Sequence, residues 1–281
     1  MLVHQGAKFF DFLRSLWKNE RISRIVSLAL VFSFLLAGCA IVLNLAGLMP
    51  DEVANLIPTN PFQAIQLAFS LVLGVEVIEL IFAIADSVSL AVGKQLEIMA
   101  LLLLRETFTD ISLLDTKITM QDDWLMLLQI GATALGGLSL FILRGIFARW
   151  RFSQEHKDVK SYISVKKCVS LFLFIIFLGA GIYDLYCIVV LHHQAVFFQI
   201  FYTALIFTDI LLVLAGQYFM PSFHATFRNS GYAVGTLLMR ISLGAPHYLG
   251  AALCVFSGLY ILALTWAASR YAPPEKSSLS K

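Results

Sequence analysis

Long apolar segments, separated by short polar stretches, make up most of the chain. Most of them reach the roughly 20 residues that an α-helix needs to cross the hydrocarbon core of a bilayer. The pattern predicts an all-α, polytopic helical membrane protein with about eight transmembrane helices. The predicted spans are residues 25–48, 62–91, 95–108, 124–148, 165–191, 196–219, 230–243 and 247–269.

Proline positions agree with several of these boundaries. Pro61 can begin the second segment, Pro221 can end the sixth and Pro246 can begin the eighth, because proline fits the first turn of a helix but not its interior. The third and seventh segments are short and carry charged residues, so their assignment as spans depends on more than hydropathy.

Composition excludes a water-soluble globule. Apolar residues make up 59% of the chain, charged residues 14%, and the mean hydropathy is +0.82, whereas soluble domains are about half apolar and a quarter charged. The longest polar stretch, residues 149–167, is too short to form a core of its own. We therefore expect no extramembrane catalytic domain and no enzymatic activity.

Basic residues assign an orientation to the eight segments. If all eight cross the membrane, all but three of the 20 Lys and Arg lie on the side of the N-terminus. Arg105 and Arg240 fall within segments, and Lys117 faces the opposite side. Because cytoplasmic loops are enriched in Lys and Arg, both termini are predicted to be cytoplasmic. If either short segment did not cross the membrane, the orientation of every later segment would be inverted.

The two halves of the chain present the same order of features: an apolar segment, an outward loop, a segment with an acid, a basic inward turn and a short segment with an arginine. Glu79 and Asp209 are 130 positions apart, and Arg105 and Arg240 are 135 apart. This near-constant offset indicates duplication. We predict two parallel four-helix repeats, related by an axis along the membrane normal.

The repeat divides the chain into five parts. They are a cytoplasmic amphipathic segment at 1–24, a first four-helix repeat at 25–148, a cytoplasmic linker at 149–164, a second four-helix repeat at 165–270 and a cytoplasmic tail at 271–281.

Short motifs at the centre of each half carry a family resemblance. They are Phe-Met-Pro-Ser-Phe-His at 219–224, Arg228 and Thr-Leu-Leu-Met-Arg at 236–240 in the second half, and Glu-Val-Ile-Glu at 76–79, Lys94 and Leu-Leu-Leu-Leu-Arg at 101–105 in the first. In these motifs the chain resembles the phosphate-starvation-inducible PsiE family, although the first half lacks the histidine and proline of the turn. Members are four-helix proteins of about half this length. The resemblance therefore implies a tandem duplication, and a stress-linked role without a particular activity.

Four charged residues fall near mid-depth in the predicted spans, where an unpaired charge costs at least a few kcal/mol. Measured from the basic inward turns, Glu79 and Arg105 lie at similar depths on adjacent antiparallel helices. Asp209 and Arg240 repeat the relation. We predict two intramembrane ion pairs, Glu79–Arg105 and Asp209–Arg240, each tying a helical hairpin together.

A second interpretation gives acidic residues a role in transport. Glu76 and Asp86 share a helix face with Glu79, and Asp184 lies in the fifth segment without an evident cationic partner. Acids inside a membrane often mark proton or ion pathways. No segment is interrupted at mid-depth by the Gly-Pro pattern that exposes carbonyls to a substrate, which favours the structural interpretation.

We expect no cofactor and no metal. The four cysteines occur singly in apolar stretches, without the spacing of a zinc site or a redox pair, and the six histidines offer no facing pair for haem. Leu-Ala-Gly-Cys at 36–39 resembles a lipoprotein cleavage box, but the apolar run continues to residue 48, which is typical of a complete span.

The N-terminal segment mixes apolar and basic residues: Phe9, Phe10, Leu13 and Leu16 with Lys8, Arg14 and Lys18. This pattern predicts an amphipathic helix on the inner leaflet, in contact with anionic headgroups. Gly231 and Gly235 have the spacing that allows close helix packing, which indicates packing and not a partner. A homo-oligomer is left open. We expect a multi-pass protein of the cell membrane, a bacterial inner membrane, without a nucleic-acid partner.

These patterns predict a non-enzymatic membrane scaffold or stress-related factor with paired intramembrane charges. The alternative is a small-ion or proton transporter or channel that uses the acidic residues of the second and fifth helices.

Overall fold

The structure is a computed structural model that describes residues 2–48, 50, 60, 62–112, 124–150, 160–187, 197–219 and 221–271. In these residues the regular secondary structure is helical, with no strand. The helices are α1 (Leu2–Trp17), α2 (Glu20–Leu45), α3 (Phe62–Asp86), α4 (Val88–Ser112), α5 (Trp124–Trp150), α6 (Lys160–Tyr186), α7 (Phe197–Phe219), α8 (Phe223–Ser242) and α9 (His247–Arg270).

Six of the helices in the described part of the chain are long and apolar enough to cross a membrane. These spans lie in α2, α3, α5, α6, α7 and α9. The fold is therefore consistent with a multi-pass helical membrane protein, with two fewer such helices than the eight predicted. The two remaining predicted spans lie in α4 and α8, where polar and charged residues lower the hydropathy.

The charged helix α4 lies in the interior of the bundle. It contacts α3, α5, α8 and α9, and its residues Leu96, Met99 and Leu103 are buried in the main hydrophobic core. In contrast, α2 lies at the edge, where it packs mainly on α3 and exposes most of its apolar residues. An apolar helix can face lipid at little cost, whereas a charged helix is stabilised by polar partners from its neighbours.

Two tight reversals form helical hairpins. Ser87 alone separates α3 from α4, and residues 220–222 separate α7 from α8. Ser87 N–H donates to the Ala83 carbonyl, and its own carbonyl accepts from Ala91 N–H, both at 3.0 Å. We call the end of the bundle that carries both reversals the reversal end. The prediction of an inward turn at Lys94 is wrong, because Lys94 lies seven residues beyond Ser87, inside α4.

Two glycines allow α8 and α9 to pack closely together. Gly231 faces Leu264, and a Cβ atom placed on Gly235 would lie 2.5 Å from Cγ1 of Ile261. The glycine spacing noted in the sequence therefore packs these two helices of one chain against each other.

The N-terminal helix α1 contacts α6 and, through side chains, α3. Phe10 is buried against Phe82 and Ala85 of α3, with the two phenyl rings edge to face at 5.5 Å. The predicted amphipathic helix is present, and one of its faces packs on the protein. Helix α6 begins inside the predicted linker 149–164, and residues 151–159 and the tail from 272 lie outside the described residues.

Candidate functional site

Three carboxylates converge on the side-chain ammonium of Lys94. Its Nζ lies 2.5 Å from Glu79 Oε2, 2.8 Å from Glu97 Oε2 and 3.1 Å from Glu76 Oε2. An ammonium group has three donors and no acceptor, so three carboxylate partners match its capacity. We call Lys94, Glu76, Glu79 and Glu97 the Lys94 cluster.

The register of the α3–α4 hairpin produces this cluster. Glu79 lies eight residues before Ser87 and Lys94 seven after it, so the two reach the same level on antiparallel helices. Glu76 is one turn from Glu79, and Glu97 is one turn from Lys94, which places each pair on one helix face.

A second cation connects the cluster to the next helix. Arg144 Nη2 of α5 lies 2.5 Å from Glu97 Oε1. Charged contacts therefore join α3, α4 and α5, with three carboxylates facing two cations. The side chains keep between 23% and 40% of their surface accessible, so this is a partly exposed network rather than a sealed core.

A more deeply buried ion pair joins two helices of the second half of the chain. Arg240 Nη2 of α8 lies 2.7 Å from Asp209 Oδ2 of α7, with 7% and 15% of the side chains exposed. Arg240 also donates to Gln95 Oε1 of α4 at 3.2 Å, and Thr236 Oγ1 donates to Asp209 Oδ2 at 3.1 Å. The predicted partners Asp209 and Arg240 are thus in contact, and their network includes a helix of the first half.

Glu79 contacts Lys94 and not Arg105, the partner predicted from the sequence. The ion pair described for Glu79 is with Lys94, and Arg105 lies 11 residues farther along α4, about 16 Å along the helix axis. At that level α3 presents Phe69, which stacks on Phe108 at 5.2 Å. Because the reversal is at Ser87 and not at Lys94, the depth argument that joined Glu79 to Arg105 does not hold.

The three residues assigned to a possible pathway lie at three separate places. Glu76 belongs to the Lys94 cluster, whereas Asp86 ends α3 and pairs with Arg14 Nη2 of α1 at 2.5 Å. The Asp86 carbonyl also accepts from Lys166 Nζ of α6 at 3.1 Å. Asp86 therefore anchors α1 and α6 to the reversal end.

Asp184 lies near the last turn of α6, which ends at Tyr186. Its Oδ1 accepts a hydrogen bond from the backbone N–H of Phe197 at 3.3 Å, and Phe197 is the first residue of α7. A carboxylate at the start of a helix satisfies free N–H groups and faces the positive end of the helix dipole. This contact gives Asp184 a structural role at the α6–α7 connection.

Sequence reasoning missed several partners. The sequence does not indicate that Lys94, Glu97 and Arg144 form part of a site. It also does not predict the ion pair in which Lys167 Nζ lies 2.6 Å from Asp11 Oδ2. The signal for the cluster was the polar dipeptide Asp86-Ser87, which marks the reversal and sets the register of everything around it.

The carboxylates of the Lys94 cluster already hold a cation of the protein itself. The position between Glu76, Glu79 and Glu97 that a cation would take is filled by the Lys94 ammonium group. Among the described residues, no group of three His, Cys, Asp or Glu is placed to hold a metal ion.

Comparison with known proteins gives no match to a family model, a curated protein or a solved structure. The resemblance to the PsiE family therefore stays a prediction from the motifs of the two halves.

Proposed function

We propose that this chain is a non-enzymatic membrane scaffold, or a stress-related factor, whose intramembrane charges hold helices together. The observation that carries this proposal is the Lys94 cluster, in which one ammonium group meets three carboxylates from two helices. Charges that are mutually paired in this way stabilise helix contacts in a membrane, and they are not free to bind a transported solute.

The proposal includes eight crossings in two tandem repeats. At ~1.5 Å per residue, the 25 residues of α4 and the 20 residues of α8 reach the ~30 Å thickness of the hydrocarbon core. The contacts of α4 with α8 and of α5 with α9 support the repeat, since equivalent helices of two units meet around a twofold axis. The resemblance to the PsiE family supports the same arrangement.

We further propose that the reversal end faces the cytoplasm of a bacterial cell, so that both termini are inside. The support is the basic character of this end, where Arg14, Lys166 and Lys167 contact acidic side chains or backbone carbonyls. Reporter fusions after Leu48 and Pro246 should report an external location, and fusions after Ser87 and Ser222 an internal one. An external reporter after Ser87 would overturn this orientation.

Helix α1 fits a contact with anionic lipid. Phe9, Phe12 and Leu16 form an exposed apolar strip, and Lys8 lies exposed beside it on the same helix. An apolar strip flanked by basic residues is the pattern of helices that lie in the headgroup region. Binding of the solubilised chain to phosphatidylglycerol nanodiscs should weaken when Lys8 and Lys18 are replaced by Gln.

Reconstitution separates the scaffold from the alternative, a proton or small-ion transporter that uses Glu76, Asp86 and Asp184. Proteoliposomes containing the parent chain should show proton, sodium and potassium leak equal to that of empty liposomes. Flux above that level, lost in Glu76→Gln or Asp184→Asn but kept in the exposed control Lys8→Gln, would overturn the scaffold and establish transport.

A further inference from the structure

The outer face of α4 carries charged side chains that the described helices leave partly open. Lys94 and Glu97 lie on this face together with Leu104, whereas most of the residues between them are buried in the main core. Glu79 of α3 and Arg144 of α5 flank the face, and their side chains are 40% and 37% exposed. Because α4 packs between α3 and α5, this strip of charges faces out of the bundle.

One negative charge of the Lys94 cluster has no counterpart within the chain. The three carboxylates of Glu76, Glu79 and Glu97 meet two cations, Lys94 and Arg144, and no further cation contacts them in the part of the chain that the structure describes. An excess charge beside hydrocarbon is strongly unfavourable unless it is paired. The open side of the cluster therefore favours a cationic group from outside the chain.

The depth of the cluster brings it within reach of lipid headgroups. Lys94 lies seven residues beyond Ser87, about 10 Å from the reversal end. The headgroup region is roughly 5–7 Å thick on each side of a bilayer, so the cluster lies within about 5 Å of the boundary between headgroups and hydrocarbon. Leu104 and Phe141, which are 38% and 70% exposed, offer apolar surface to the acyl chains beyond that boundary.

We propose that the outer face of α4 binds phosphatidylethanolamine, whose ammonium group donates hydrogen bonds to the Glu79 carboxylate. The described contact of Glu79 with Lys94 ends on Oε2, and a carboxylate accepts several hydrogen bonds. The lipid ammonium lies outside the cluster, because Lys94 fills the position between the three carboxylates. A second copy of the chain fits this face less well, since it would bring the same excess negative charge to the contact.

This inference rests on the proposed function in one respect, because it takes the Lys94 cluster to lie in a membrane. The two can fail separately. Equal binding of different lipids, together with a loss of stability in Lys94→Met, would reject the lipid site and keep the scaffold. Ion flux in proteoliposomes would reject the scaffold without changing the lipid preference.

Native mass spectrometry of the full chain in a mild detergent tests the lipid site. Phosphatidylethanolamine and phosphatidylcholine with the same acyl chains are added in turn, because their headgroups carry the same charges but phosphatidylcholine has methyl groups in place of the N–H donors. The first phosphatidylethanolamine should bind at least about fivefold more tightly than the first phosphatidylcholine, since hydrogen bonds between an ammonium group and a carboxylate are charge-assisted. The N-methyl and N,N-dimethyl headgroups should bind with intermediate affinities.

Glu79→Gln removes the excess charge and should reduce this preference to within about twofold. Glu20→Gln in α2 is the matched control, because the Glu20 side chain is 89% exposed and lies outside the cluster, and it should keep the preference of the parent chain. Equal affinities of the parent chain for the two lipids would overturn the lipid site, and that comparison does not depend on the folding of a variant. A dimer of the parent chain that Glu79→Gln dissociates would also overturn it, in favour of a second copy on this face.

Discussion

Glu79 Oε2 lies 2.5 Å from Lys94 Nζ across a reversal in which a single residue, Ser87, separates two antiparallel helices. The contact lies about 10 Å from the reversal, since Lys94 is seven residues beyond Ser87. Because the same ammonium group also contacts Glu76 and Glu97, it balances charge contributed by both helices of the hairpin. The hairpin is therefore stabilised at a level where a bilayer would strongly disfavour separated charges.

Replacing Lys94 with Met should destabilise the protein by about 3 kcal/mol, because three carboxylates would remain close together with Arg144 as their remaining cation. Unfolding in mixed detergent micelles, followed by circular dichroism, measures this change. The matched control Lys8→Met, on an exposed position of α1, should stay within about 0.5 kcal/mol of the parent. Equal effects of the two substitutions would contradict a structural role for the cluster.

Two double-mutant cycles should distinguish the partners of Glu79. Glu79→Leu and Lys94→Leu should show a coupling energy of at least about 1 kcal/mol, because the residues are in direct contact. Glu79→Leu and Arg105→Leu should be additive within about 0.5 kcal/mol, because α4 separates Lys94 from Arg105 by three helical turns. Stronger coupling to Arg105 than to Lys94 would restore the pairing predicted from the sequence.

Gly235→Ala should destabilise the α8–α9 contact by about 1–3 kcal/mol, because the new methyl group would lie 2.5 Å from Cγ1 of Ile261. Gly145→Ala in α5 is the matched control, since its methyl group would meet no atom within 4 Å. That control should be neutral or stabilise by up to about 1 kcal/mol, as alanine favours helix over glycine. Thermal unfolding in detergent measures the stability of both variants. An unchanged stability of Gly235→Ala would contradict the prediction, because it would mean that α9 shifts to accommodate the methyl group at no cost.

Phe10→Ala should release α1 from α3 at a cost of about 3–5 kcal/mol, because the ring is 1% exposed and packs against Phe82. Its neighbour Phe9 is 53% exposed and supplies the control Phe9→Ala. Hydrogen exchange followed by mass spectrometry should show faster exchange within α1 for Phe10→Ala alone. Equal acceleration by both variants would indicate that α1 is held by lipid instead of by α3.

The sequence located the helices because the signals for them are local. Long apolar runs correspond to α2, α3, α5, α6, α7 and α9, shorter runs with charged residues to α4 and α8, and the mixture of apolar and basic residues to α1. The spacing of Asp209 and Arg240 also put two opposite charges within reach of each other on adjacent helices, where the structure has them 2.7 Å apart.

Only the tertiary structure decided the partners of Glu79, Asp86 and Asp184. Depth in a hairpin is counted from its reversal, so moving the turn from Lys94 to Ser87 shifts the two helices by several residues and gives Glu79 a different partner. Asp86 and Asp184 bind groups from helices that precede or follow them in the chain, Arg14 of α1 and the first N–H of α7. Hydropathy measures how a segment prefers lipid over water, but the surroundings of a charge depend on which helices pack against it, as the interior position of α4 shows.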